Sequence, residues 1–224
     1  MDWSRAAPFY DWQLSFERPA LAAAVALADP HHDDDLLDIG TGTGALLRQL
    51  ARHPDRPRKA IGVDPSTRML AKAPALPEGW TLETADARRL PFADGAFSIV
   101  TAAYLLHVVD TAARREIIIE CRRVLRAGGR LVTVTPTLPR KRLARALYAP
   151  LAAAAGSSVG PAAGFRPLDP RPELERATFT IAATTYVRRG YPSLCVLAIR
   201  RGVRPNGQPT RIGVTAGTYR GQSG

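Results

Sequence analysis

The run Leu36-Leu37-Asp38-Ile39-Gly40-Thr41-Gly42-Thr43-Gly44 constrains this chain more than any other. Its apolar part reads as a buried parallel strand, and Ala45 to Ala51 read as the helix that follows. Glycines alternate at the turn, where the backbone must bend sharply and let a ligand approach without meeting a Cβ atom. Dinucleotide-binding dehydrogenases carry G-x-G-x-x-G, with a pyrophosphate on the helix N-terminus. Here the spacing is G-x-G-x-G with an acid, Asp38, just before it. That loop suits a ligand bearing a positive charge rather than a phosphate.

Two more strands follow the same logic. Lys59 to Val63 ends at Asp64, and an acid at the tip of the second strand of such a sheet accepts from two ribose hydroxyls. Pro65 is expected to open the next helix, continued by Ser66 to Ala73. Trp80 to Ala85 forms a third strand, ending at Asp86. A lone strand-end Asp is commonly a cap or turn residue. Three of them on one sheet edge, beside a glycine loop, point to a ligand site.

Five blocks in order extend the pattern: Leu37 to Gly44; Val63-Asp64-Pro65-Ser66 with Met69-Leu70; Ala85-Asp86-Ala87 with Leu90-Pro91-Phe92; Leu105-Leu106-His107 with Asp110; and Glu120 to Gly129. Their order and spacing resemble the class I S-adenosylmethionine-dependent methyltransferases, and among them the small-molecule branch that includes the ubiquinone and menaquinone C-methyltransferases. The resemblance implies S-adenosyl-L-methionine as cofactor. Asp38 and the loop Gly40, Thr41, Gly42 and Gly44 would hold its methionine end, with Asp38 facing the ammonium group. Asp64 would take the ribose hydroxyls, and Pro65 or Met69 would pack beside the adenine. Asp86 would accept from the adenine amino group, and the Ala87 backbone would meet the ring nitrogen. Tyr104 falls where the family lines the methyl-transfer site. Ser98 stands where the family carries an acid and Ala127 where it carries a proline, which argues for a divergent member.

Phe9, Tyr10, Trp12 and Phe16 fall at helical spacing and read first as packing residues. In the resembling family the corresponding helix closes over the cofactor, which would bring Tyr10 to the pocket. His107 sits at a strand-to-helix junction, where a histidine is more often structural. As a catalytic group it would take a proton from the acceptor, which requires a pKa near the working pH.

With 224 residues and 46% hydrophobic content, the chain can build one sizeable core. The expected division is a catalytic domain over residues 1–200, including an N-terminal helical cap over 1–30, and a basic, disordered tail over 201–224. No apolar run approaches the ~20 residues that span a bilayer. Met1 to Pro8 lacks a basic region followed by a hydrophobic one, so the expected location is cytoplasmic. Cys121 and Cys195 lie among apolar neighbours and read as reduced core residues. Two scattered cysteines give no basis for a metal site.

The net charge of +11 is local. The stretch from Arg200 to Gly224 holds five arginines and no acid, and Arg140, Lys141, Arg142 and Arg145 lie in a second acid-free stretch. Only Tyr219 interleaves with the tail arginines, so nucleic acid is disfavoured as a partner. Leu143, Leu147 and Leu151 would form one apolar helix stripe within Leu138 to Ala155. That stripe fits ordinary packing on the sheet, a cover over the acceptor pocket within residues 137–176, or peripheral contact with a membrane surface.

Phe179 to Val187 alternates, Arg188-Arg189-Gly190 reads as a turn, and Leu194 to Ile199 is a continuous apolar strand. The expected fold is therefore an α/β doubly wound, Rossmann-like sheet of seven strands, mostly parallel with the last antiparallel, flanked by helices. The expected reaction is direct displacement of a methyl group onto a small, apolar or aromatic, quinone-like acceptor. A nicotinamide-dependent oxidoreductase would require G-x-G-x-x-G. An RNA methyltransferase and a non-catalytic cofactor-binding protein of the same fold are the alternatives.

Overall fold

Leu36, Leu37 and Ile39 are fully buried, as a strand covered on both faces requires. Their strand is the hub of a seven-stranded sheet. The computed structural model describes residues 7–139, 166–190 and 192–202, with side chains from Phe16 onward. In chain order the elements are α1 (Ala7–Ala28), β1 (Asp35–Ile39), α2 (Ala45–Leu50), β2 (Lys59–Asp64), α3 (Thr67–Leu70), β3 (Trp80–Thr84), β4 (Phe97–Ala103), α4 (Thr111–Val124), β5 (Leu125–Pro136), α5 (Arg171–Arg176), β6 (Phe179–Val187) and β7 (Ser193–Arg200).

The strands lie in the order β3-β2-β1-β4-β5-β7-β6. The chain starts in the middle, winds outward to β3, then returns past β1 to β4. The turning point lies between β1 and β4, and in open sheets the crevice beyond the strand ends at such a point is where ligands bind. The pairs β1/β2, β2/β3, β1/β4 and β4/β5 are parallel. Only β7 runs against its neighbours β5 and β6. This is the sheet expected from the sequence.

Each face has its own core. On one, α1 and α2 bring Ala20, Leu21, Ala24, Val25, Leu46, Leu47 and Leu50 against Leu36, Ala60, Ile99, Val132 and Cys195. On the other, Ile117, Ile118 and Cys121 of α4 and Leu174 of α5 pack on Leu37, Ile39, Val100 and Val196. Both cysteines are free and buried, and burial pushes each thiol up to about 12. No described helix is long and apolar enough to cross a membrane.

One local feature differs from expectation. α3 covers only Thr67–Leu70, and Ser66 caps it by accepting from the Met69 N–H at 3.3 Å. Pro65 therefore precedes the cap instead of opening the helix, because Asp64 takes the Ser66 N–H at 2.9 Å and holds the chain extended there. Ser98, where the resembling family carries an acid, is buried; its hydroxyl accepts from Asp35 N at 3.0 Å and donates to Asp35 O at 3.1 Å. A small hydroxyl can satisfy both backbone groups there, whereas an ionised carboxylate only accepts. The Leu143, Leu147 and Leu151 stripe, the tail beyond residue 202 and the Tyr10 side chain lie outside the described residues.

Gly62 couples the sheet to the loop after β1. A Cβ there would stand 2.8 Å from Leu47 Cδ1, 2.8 Å from Leu82 Cδ2 and 2.9 Å from the Thr41 hydroxyl. Gly62→Ala is expected to lower stability by about 1–3 kcal/mol through overpacking, read in urea or thermal melts. It should also weaken ligand binding, because Thr41 must shift.

Candidate functional site

Beyond β1 the backbone passes through φ values of +65°, +56° and +71° at Gly40, Gly42 and Gly44. These left-handed positions strain residues that carry a Cβ by roughly 1–2 kcal/mol each. The loop is joined to the end of β2: Thr41 N donates to Val63 O at 3.0 Å, and Gly44 N closes the turn onto Thr41 O at 2.9 Å. Asp64 completes the junction. Its Oδ2 accepts from Gly42 N at 3.0 Å and its Oδ1 from Ser66 N at 2.9 Å. One carboxylate thereby fixes two loops, and each oxygen keeps a further lone pair for a ligand hydroxyl.

Asp38 is only 2% exposed, and the Thr101 hydroxyl donates to its Oδ1 at 2.6 Å. Burial pushes its carboxyl up to about 6, against the pull of Thr101 toward the anion. The Thr41 hydroxyl lies close enough to help hold the anion, without the geometry of a full hydrogen bond. No described cation pairs with Asp38. The hydroxyls of Thr41 and Thr43 are buried and lack hydrogen-bond partners among the described residues. A buried hydroxyl left so costs about 1–3 kcal/mol. A carboxylate without a cation, beside a loop of positive-φ glycines whose two hydroxyls lack partners among the described residues, fits the amino-acid end of S-adenosylmethionine, which bears an ammonium and a carboxylate.

Asp86, at the turn after β3, is already engaged. Arg88 grips it with Nε at 3.0 and 3.1 Å and Nη2 at 2.6 Å, while Arg88 N donates to Oδ1 at 2.9 Å. The Arg88 guanidinium holds the Asp86 carboxyl below its ordinary value. Exposed ion pairs contribute only about 0–1 kcal/mol, so an adenine amino group can displace Arg88 at small cost. Ala87 and Met69 are buried while Pro65 is exposed, so of the two expected adenine neighbours Pro65 is the accessible one.

Tyr104, the first residue after β4, carries φ +55°. Such strain in a residue with a side chain persists only where the surroundings impose it. Here Tyr104 N donates to Val134 O at 2.8 Å, and the phenol lies 2.7 Å from Ser193 Oγ on β7. The buried His107 ring meets Tyr104 edge-on, with centroids 6.1 Å apart. Arg114 of α4 holds this loop, donating to Leu106 O at 3.2 Å while its Nε pairs with Glu173 at 2.8 Å. The loops after β1 and β4 also touch: a Cβ on Gly40 would lie 3.0 Å from Leu105 Cδ1.

The fold thus brings Asp38, the glycine loop, Asp64, Tyr104 and His107 to one edge around the turning point, with Asp86 and Ala87 beyond the outermost parallel strand. Sequence reasoning missed Thr101, Ser66, Ser193, Arg88 and Arg114. Thr101 had a signal, being a polar residue inside the apolar run Ile99 to Ala103. The partners of Arg88, Arg114 and Ser193 had none.

Because burial lifts Asp38 above its ordinary 3.8 to about 6, the folded chain holds a proton that the unfolded chain has released between those values. Stability therefore falls as pH rises through that window. Asp38→Asn is expected to raise stability at pH 7.5 by about 2–3 kcal/mol and to have little effect at pH 3.5, read in urea melts.

Residues 36–129 match the family model described as "Methyltransferase domain". The chain is 38% identical over 122 residues to a ubiquinone/menaquinone biosynthesis C-methyltransferase of Desulfotalea psychrophila, covering 53% of this chain and 48% of that one. It is 39% identical over 152 residues to a demethylmenaquinone methyltransferase of a Roseiflexus species, covering 64% and 62%. The aligned part thus spans about half to three-fifths of these relatives. The fold superposes with a TM-score of 0.65 on a crystal structure of a Thermotoga maritima S-adenosylmethionine-dependent methyltransferase titled a possible histamine N-methyltransferase, at 18% identity, covering 88% of this chain and 98% of that one. The match to the methyltransferase family model implies S-adenosyl-L-methionine as cofactor. The segment 36–129, which holds the glycine loop, Asp64, Asp86 and Tyr104, matches a methyltransferase domain, and the chain resembles the class I S-adenosylmethionine-dependent enzymes of the ubiquinone/menaquinone C-methyltransferase type.

Proposed function

We propose that this chain transfers a methyl group from S-adenosylmethionine to a ring carbon of a small, aromatic, quinone-like acceptor. One observation carries the reading most: the buried carboxylate of Asp38 has no cationic partner among the described residues, beside a loop whose hydroxyls lack partners. A ligand with an ammonium group supplies what is missing. The acceptor class follows the names of the two quinone-methylating relatives.

When bound, the cofactor supplies an electrophilic methyl group on a sulfonium. Asp38 and the loop Gly40 to Gly44 hold its amino-acid end. Asp64 accepts from the ribose hydroxyls through the lone pairs left free by Gly42 and Ser66. Asp86, released from Arg88, and the Ala87 backbone bind the adenine against Pro65. Tyr104 and His107 face the acceptor, and His107 takes the proton released by the acceptor. Thr135 donates to Leu168 O at 2.8 Å and Leu168 N to Pro136 O at 3.0 Å, so the described residues flanking 140–165 meet at this edge. That supports an acceptor-side role for residues 137–176. Alignment of the reacting groups contributes up to roughly 7–11 kcal/mol, which is why no nucleophile of the chain is required.

Calorimetric titration with S-adenosylmethionine is expected to give saturable binding that Asp64→Ala abolishes, with NADH giving no heat. Methyl transfer from labelled cofactor to a demethylated quinol should follow. His107→Gln should keep cofactor binding and lower kcat by about 10²-fold or more. NADH binding would overturn the cofactor assignment. Cofactor binding without transfer to quinols would overturn the acceptor assignment.

A further inference from the structure

We propose that the opposite end of the sheet holds a second binding site, for a small phosphate-bearing anion, built by Arg122, Arg176 and Arg200. A groove of about 480 Å³ opens there, lined by these arginines with Ile119, Arg123, Thr178 and Asp94. The volume lies within the range of small-ligand pockets, about 300–1,000 Å³. It sits where α4 and α5 end and β7 finishes, so the whole length of the parallel strands separates it from Asp38 and Asp64.

Charge accounting points to an anion. Arg123 is neutralised by Glu120 and Asp94, each at 2.8 Å. Arg122, Arg176 and Arg200 pair with no acid among the described residues. Arg122 donates from Nε to the Thr178 hydroxyl at 2.7 Å, and Arg200 donates from Nη1 to Leu125 O. Both contacts fix the guanidinium planes without reducing their charge. Arg200 Nε is buried and has no hydrogen-bond partner among the described residues. Burial and the nearby charge of Arg122 both act against protonated Arg200, lowering its pKa.

Two sources of compensation within the chain fall short. The C-terminal end of α4 contributes about half a negative charge, too little for three guanidinium groups. The segments 140–165 and 203–224 contain no Asp or Glu. Neither can supply a carboxylate side chain to the groove. Converging guanidinium groups that keep like charges together, with Asp94 as the one lining acid and Asp94 already paired with Arg123, match the forked recognition of phosphate oxygens. Ile119, 60% exposed, offers an apolar wall for the organic part of such a ligand.

Inorganic pyrophosphate is the probe. Titrated calorimetrically into the full chain, it is expected to bind saturably, and Arg122→Gln/Arg176→Gln should weaken it at least tenfold. Arg176→Gln alone, a change at an exposed position, should weaken it about threefold, which keeps the test valid if the double variant folds poorly. Arg188→Gln/Arg189→Gln removes the same charge from an exposed turn and should leave binding unchanged. Equal weakening by that control pair would reduce the effect to net charge and overturn the proposal, as would unsaturable heats or insensitivity to Arg176→Gln. Binding of S-adenosylmethionine should be unaffected by the groove variants, so this test stands or falls apart from the methyl-transfer assignment.

Discussion

The Asp64 carboxylate is the junction on which the rest of the candidate site depends. By accepting from Gly42 and Ser66 it fixes the glycine loop after β1 and the short helix after β2 relative to each other. The parallel register of the two strands, with Ile39 opposite Val63, makes that bridge geometrically available. Gly62 lets the loop approach the sheet closely enough to use it. A side chain without acceptor atoms at position 64 would leave two backbone donors without their acceptor and the loop without its anchor.

Asp38 shows the opposite economy. Asp64 contributes to its own surroundings, whereas Asp38 is held buried beside a single hydroxyl donor at a cost in stability that grows as pH rises from 3.8 to about 6. A buried carboxylate with no cation of its own is what a cationic ligand requires, and the trade of stability for binding is common where a site must be ready before its ligand arrives. Thr41 and Thr43 repeat the pattern on a smaller scale. The groove at the far end of the sheet inverts the sign: there the excess is of guanidinium groups.

Much of the sheet was legible in the sequence. β1, β2, β6 and β7 follow from apolar or alternating runs bounded by Gly, Asp and Arg, and the observed bounds differ from the expected ones by no more than a residue at either end. The strand-end acids and the glycine loop were equally visible, because each marks a backbone event that only certain residue types permit. The shortness of α3 was not. At its start Asp64 takes the Ser66 N–H and makes Ser66 the cap, and at its end Lys72 and Ala73 bond three residues back, to Met69 and Leu70, instead of continuing the helix.

The sequence by itself determined the winding of the chain and the edge on which the acids gather, since periodicity and turn chemistry are local properties. It also determined that the basic excess is regional, because charge counts need no coordinates. Only the tertiary structure decided that Arg88 occupies Asp86, that Ser193 and His107 surround Tyr104, and that Arg114 braces their loop through Glu173. It alone gathered Arg122, Arg176 and Arg200 from three elements into one groove. The reason is physical: Tyr104–Ser193 and Arg114–Glu173 join residues 89 and 59 positions apart, where packing of the faces sets which side chains meet. Asp86–Arg88 and Tyr104–His107 depend on the rotamers and loop conformation that the fold imposes.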